Sequence, residues 1–197
     1  VGGAHTPVML IFDLFFVMRE VVFDTETTGL NKKRDNGAIC LGHRVIEIGF
    51  VESIDKRTTG RKIHACLNPG CPVDSKAADV HGVTDSFVAC MPTFREVAKE
   101  FIDFIDGAVS VAHNAPFDVA FVDQEFRLLD GSLQPIGKTF RVLDALSVAR
   151  DLFPGHKNTL DALASSLHVG KRGVHHGALV DAEILAHVCI ALSNSTS

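Results

Sequence analysis

Neither tryptophan nor tyrosine occurs in this chain of 197 residues, so its aromatic core is built from 14 phenylalanines. Paired cysteines are missing too. Cys40, Cys66, Cys71, Cys90 and Cys189 make an odd set of five with no CxxC spacing, which excludes a disulfide framework and reads as reduced, cytosolic and mostly core thiols. Cys66 and Cys71 are too loosely spaced for a zinc knuckle. Excess positive charge is absent: the net charge of −5 excludes a protein that binds nucleic acid by blanketing it with lysine and arginine. It leaves room for an enzyme that reaches phosphate through bound cations. No apolar run is long enough to cross a bilayer, since residues 8–18 are interrupted by Asp13. No basic region precedes that run and no small-residue cleavage site follows it, so neither a membrane anchor nor a signal peptide is expected. Repeats and low-complexity tracts are absent as well.

What is present suffices for one full core: 46% of the residues are apolar, and the length suits a single domain. Residues 21–24 form a short buried strand. Residues 31–43 mix glycine, asparagine and charge without period and read as a loop. Residues 44–53 alternate as a strand does, and 61–67 alternate again after a Thr-Gly turn. Strands so close in sequence are expected to pair antiparallel. Beyond them the period changes. In residues 92–105 the apolar positions Phe94, Val97, Ala98, Phe101, Ile102 and Ile105 trace a helical face that opens on Pro92. A strand at 109–112, a helix at 116–129, a strand at 140–143 and helices at 145–152, 159–167 and 178–192 follow. This order predicts an α/β fold: a mixed sheet, three antiparallel strands and then parallel ones, with helices on both faces. Residues 18–193 are expected to form that domain. Residues 1–17 read as an extension outside the core, with an apolar segment that packs on a partner as the alternative, and 194–197 as a short tail.

Three acidic clusters stand at the ends of these elements. Asp24 and Glu26 in FDTETTGL are two apart on a strand, so both point to one face and can share a cation; an exposed acidic strand end is the plain alternative. Thr25 points the other way and is expected to act through its backbone or by packing, while Gly29 lets the chain turn away. Asp118, in HNAPFDVAF, falls in the first turn of a helix after a buried strand. An acid there caps the helix, yet the place is also the edge of an open sheet where sites gather. In HHGALVDAE, His176 precedes the helix and Asp181 lies one turn into it. Crowded acids raise one another's pKa unless cations fill the gap. Oxygen ligands suit Mg²⁺ or Mn²⁺, two such ions can clamp a phosphodiester displacement, and a histidine can take the proton of the attacking water.

In that order VVFDTETTGL, HNAPFDVAF and HHGALVDAEILA resemble the three motifs of the His-containing branch of the DEDD exonuclease superfamily, most of all those of bacterial DNA polymerase III epsilon proofreading subunits. The likeness spans residues 19–192 and includes VIEIGFVE, VHGVTD and LDALSVARDLFPGHKNTLDAL. It implies a ribonuclease-H-like fold and hydrolysis of DNA from the 3′ end, releasing 5′-mononucleotides. Asp24, Glu26, Asp118 and Asp181 then match metal-binding acids for two divalent cations, Mg²⁺ or Mn²⁺, and His176 the general base; His175 has no assigned role. Thr25, Glu26 and Leu30 match positions lining the terminal nucleotide, His81 a substrate-side histidine, and Asn114 and Phe117 join the substrate set, with Phe117 able to stack on a base. The implied partners are DNA 3′ ends, single-stranded or frayed, and the DNA polymerase III alpha subunit, although no polymerase-tethering tail is visible before Ser197. Ser75-Lys76 stands where relatives often carry Pro-Glu; a lysine there can still face phosphate.

The remaining features are plainer. The basic stretches 32–34, 57–62 and 171–172 read as solvated loops. Phe121 and Phe126 fit a core face, and His64, His156, His168 and His187 read as surface or core side chains. Two other functions stay open: an RNA or oligoribonucleotide exonuclease of the same branch, since no residue here reads a 2′-hydroxyl, and a non-catalytic module that stabilises a polymerase.

Overall fold

The computed structural model describes residues 19–31, 39–129, 134–171, 173 and 176–195. The extension 1–17, the basic stretch 32–34, Arg172, His175 and the last two residues of the tail lie outside the described residues. Five strands form one sheet in the order β3-β2-β1-β4-β5. β1 (Glu20–Thr27), β2 (Val45–Ile54) and β3 (Arg57–Cys66) run antiparallel, and β4 (Val109–Ala112) and β5 (Arg141–Asp144) join parallel to β1. This is the mixed sheet that the alternation of periods predicts.

Helices cover both faces. Between β3 and β4 come α1 (Ser75–His81), α2 (Asp85–Val88) and α3 (Phe94–Ile105); between β4 and β5 come α4 (Ala115–Leu129) and α5 (Ile136–Thr139). α6 (Ala145–Leu152), α7 (Leu160–Leu167) and α8 (Ala178–Ser195) close the fold. Successive residues of β1 feed opposite layers, as a pleated strand requires. Val21 and Phe23 join the phenylalanine-rich core under α3 and α4, with Phe50, Phe94, Phe101, Phe121 and Phe126, while Val22 joins the aliphatic layer under α6, α7 and α8.

Several boundaries differ from expectation. β3 begins at Arg57, and the hairpin closes on Asp55-Lys56, with φ of 50° and 59°, not on the Thr-Gly pair. Both central residues left-handed is the twist a two-residue hairpin needs; Thr59 and Gly60 instead continue the strand. Pro92 stands outside α3. Thr93 caps that helix, its N–H and hydroxyl both donating to the Glu96 carboxylate at 2.7 and 2.8 Å, while the Glu96 N–H donates back to Thr93 O at 3.0 Å. The four-residue helices α2 and α5 are too short to show a period in sequence. β1 outruns the expected end at Asp24 and carries Glu26 and Thr27 within the strand.

A buried ion pair ties the layers where β2 starts. Glu125 of α4, 1% exposed, receives Arg44 Nε at 2.7 Å and Nη2 at 2.6 Å, and the Val45 N–H at 3.1 Å. Two parallel guanidinium bonds are the geometry that makes a desolvated pair tolerable.

Candidate active site

β1 pairs with β4 only from Glu20 to Val22, because β4 stops at Ala112 and the chain turns into α4. The far half of β1 therefore overhangs on that side, and Asp118, the fourth residue of α4, fills the gap. Its Oδ1 accepts the Thr25 N–H at 3.0 Å and the Thr25 hydroxyl at 2.8 Å. Thr25 thus does more than pack: standing between the two acids of its own strand, it fixes Asp118 against the far face of β1. Asp144 fixes the same N-terminal end of α4, its Oδ1 accepting N–H groups of Asn114 at 2.9 Å, Ala115 at 3.2 Å and Leu146 at 3.1 Å. Burial, with Asp118 only 3% exposed, pushes its carboxyl up to about 7; the Thr25 hydrogen bonds pull against this and the nearby Asp144 charge adds to it.

Asp24 and Glu26 face the opposite layer, towards α8, which packs on β1 and β2. Asp24 stands in register with Gly49, and a Cβ on Gly49 would lie 2.4 Å from both the N and Cα of Leu179. Only a bare Cα lets the start of α8 come this close. That approach brings the 2%-exposed Asp181 to the strand. A carboxylate oxygen of Glu26, one of Asp181 and a ring nitrogen of His176 all lie within 4.8 Å of one another, with His176 Nδ1 4.0 Å from Asp181 Oδ2. The backbone locks this loop: the Asp181 N–H donates to Gly177 O at 2.9 Å and the His176 N–H to Val80 O at 3.1 Å. Two carboxylates with an imidazole beside them fit a divalent cation with hard-oxygen preference. Asp118 is not part of this trio; it approaches β1 from the other layer.

Because the obstructing atoms at Gly49 are backbone, Gly49→Ala must shift α8 as a body. Overpacking of this kind costs about 1–3 kcal/mol. The expected result is a thermal midpoint lower by a few degrees (roughly 2–4 °C per kcal/mol) and about tenfold weaker divalent-cation binding, read by metal titration.

Beside this cluster opens a cleft of about 290 Å³ lined by Glu26, Leu30, Lys76, Val80, His81 and Phe117, among others. Leu30 is 40% exposed on its rim, and Phe117 leans on Phe121 with ring centroids 4.9 Å apart. His81 is a wall more than a donor: its Nδ1 accepts the Val83 N–H at 3.0 Å, so Nε2 carries the proton and gives it to Thr27 O at 3.2 Å. Gly29, at φ 146°, turns the chain where a Cβ would meet the His43 ring at 2.7 Å. Asn114 faces a different cavity, with His113, Arg150 and His156, so it does not join the Glu26 cleft.

The residues that sequence reasoning passed over are those that act on others. Gly49 left a trace as a glycine inside a strand, a sign of close backbone approach. Asp144 left the trace of an acid between a strand and a helix. Arg44 and Glu125, 81 residues apart, left none.

Comparison with known proteins agrees with this fold. The exonuclease family model matches residues 21–189. The DNA polymerase III subunit epsilon of Escherichia coli (strain K12) is 46% identical over 178 residues, covering 90% of this chain and 72% of that protein. Exonuclease X in complex with 5′ overhanging duplex DNA superposes with a TM-score of 0.69 at 25% identity, over 90% of this chain and 92% of that one. The nuclease domain of 3′hExo, a DEDDh family member, bound to rAMP, shares the fold, with a TM-score of 0.72 at 16% identity over 91% and 94% of the two chains. No helix among the described residues is long and apolar enough to cross a membrane. The chain belongs to the exonuclease family, in the group of the DNA polymerase III epsilon subunits, and is a 3′→5′ exonuclease.

Proposed function

We propose that this exonuclease trims DNA from single-stranded or frayed 3′ ends, releases 5′-mononucleotides, and proofreads in the cytoplasm alongside the DNA polymerase III alpha subunit. Residues 18–193 are the exonuclease domain in this reading. The observation that carries it is the meeting of Glu26, His176 and Asp181 within 4.8 Å at the mouth of a cleft that Glu26 also lines. The family is divalent-metal dependent, and Asp24, Glu26, Asp118 and Asp181 would hold two ions, Mg²⁺ or Mn²⁺. Such a pair supplies charge neutralisation at the scissile phosphate and an acidified attacking water.

The chain's own residues do the rest. His176, on a loop pinned at both sides and 40% exposed, takes the proton of the attacking water. Leu30 and Phe117 grip the terminal base and sugar by apolar contact. Lys76, where relatives often carry an acid, faces phosphate. The cleft, at the small end of the range for ligand pockets, takes one splayed nucleotide and no paired duplex.

The test is stepwise shortening of 5′-labelled single strands by the purified chain, DNA and RNA of one sequence competing in the same tube. The expected result is a DNA ladder with either Mg²⁺ or Mn²⁺, none with chelator, and slower loss of RNA. Intact DNA under both metals would sink the reading, and faster loss of RNA would move the substrate assignment.

A further inference from the structure

Along the chain the cysteines offer no zinc spacing, yet the sheet assembles a zinc-type donor set across two strands. Glu47 and Cys66 are direct partners in the β2–β3 ladder, and His64, opposite Gly49, lies two residues from Cys66 on the same face. The Glu47 carboxylate, a His64 ring nitrogen and Cys66 Sγ all lie within 4.8 Å of one another, with His64 Nε2 2.7 Å from Glu47 Oε1. We propose that Glu47, His64 and Cys66 bind a zinc-type divalent cation at a second site, separate from the carboxylate centre.

The donor chemistry selects the ion. Thiolate, imidazole and carboxylate together are zinc ligands, whereas Mg²⁺ asks for a near-octahedral shell of oxygens and refuses sulfur. Two anionic donors and one neutral ring balance a dication. Bond lengths near 2.0–2.3 Å place tetrahedral donors roughly 3.3–3.8 Å apart, so closure asks for movement of about an ångström. His64 can supply it, since its side chain is 42% exposed; water takes the fourth position. A plainer role accounts for part of the cluster. Glu47 stands directly opposite Glu26 in the β1–β2 ladder, and like charges so placed repel, which the His64 contact relieves. That explains the histidine but not a thiol at the third corner.

The place gives the site a consequence. A Cβ on Gly177 would lie 3.7 Å from Glu47 Oε1, so Glu47 borders the loop that carries His176.

Cobalt(II) reports thiolate ligation by a near-ultraviolet charge-transfer band. The full chain, held in saturating Mg²⁺, is titrated with Co²⁺. The expected band saturates at one equivalent, bleaches when Zn²⁺ displaces the cobalt, and persists in Glu26→Gln. Cys66→Ser abolishes it, and His64→Ala weakens binding at least about tenfold. Both variants keep the wild-type exonuclease rate in Mg²⁺ alone, which shows that they fold. No band in the wild-type chain, or a band that survives Cys66→Ser, overturns the site.

Discussion

Glu26→Gln is expected to lower kcat by roughly 10²–10³-fold, the usual cost of deleting one strong electrostatic contribution at a reacting phosphate or carbonyl, while KM for a short DNA strand changes little. Glutamine keeps the volume, and with it the wall that Glu26 lends to the cleft beside Leu30 and Phe117. It removes the charge shared with Asp181 and His176. The two roles of this side chain thus separate in the kinetics: a wall residue would show in KM, a cation ligand in kcat and in the Mg²⁺ dependence. Stability should move the other way. With the charge gone, the repulsion across the ladder from Glu47 disappears, a gain of about 0.2–1 kcal/mol, so the metal-free variant melts no lower than the wild type. More than a tenth of wild-type kcat remaining at saturating Mg²⁺ would remove Glu26 from the reaction centre.

This asymmetry between side chains that react and side chains that place them also decides what a reader of the sequence can find. Asp24 and Glu26 announce themselves because a strand has period two, and Asp118 and Asp181 because acids in first helical turns are conspicuous. The apolar periods place the five longer helices and three of the five strands closely, but they cut β1 and β3 short and show nothing of the short helices α1, α2 and α5. His176 shows in the sequence only as a loop histidine ahead of Asp181, and its role as general base comes from likeness to known motifs, since a His-His pair before a helix carries no periodic signal. The hairpin is hidden in the sequence because Thr-Gly resembles a turn more than Asp-Lys does, and only the register Ile54↔Arg57 reveals which pair closes it. Gly49 and Asp144 leave only faint traces for a deeper reason: each acts on an element at least 29 residues away in the chain, Gly49 on Leu179 and Asp144 on the start of α4. The zinc-type trio is of the same kind, because Glu47 meets His64 and Cys66 only once β2 and β3 have paired.

Asp118 makes the sharpest case for the difference between holding a fold and running a reaction. Its carboxyl lies between two layers, and burial raises its pKa from an unfolded value of 3.8 to about 7. An acid raised in this way binds its proton more tightly folded than unfolded, so the stability it contributes is full below about pH 4 and drains away as pH climbs to about 7. Above that the folded chain carries a buried charge at a cost on the order of a few kcal/mol when no cation is present. Asp118→Asn removes the cost and keeps the geometry, since the amide oxygen still accepts from the Thr25 N–H and hydroxyl. In chelator at pH 8 the variant should therefore melt higher than the wild type, by on the order of 5 °C, and the gap should close towards pH 4. Divalent metal should reverse the order, because the wild-type charge then has a partner and gains stability by binding. The exonuclease rate of the variant should fall at least about 10²-fold at every pH. A variant that melts lower than the wild type at pH 8 without metal would mean that the Asp118 charge is already compensated within the fold. A variant that keeps its rate would confine Asp118 to bracing Thr25 between the two acids of β1.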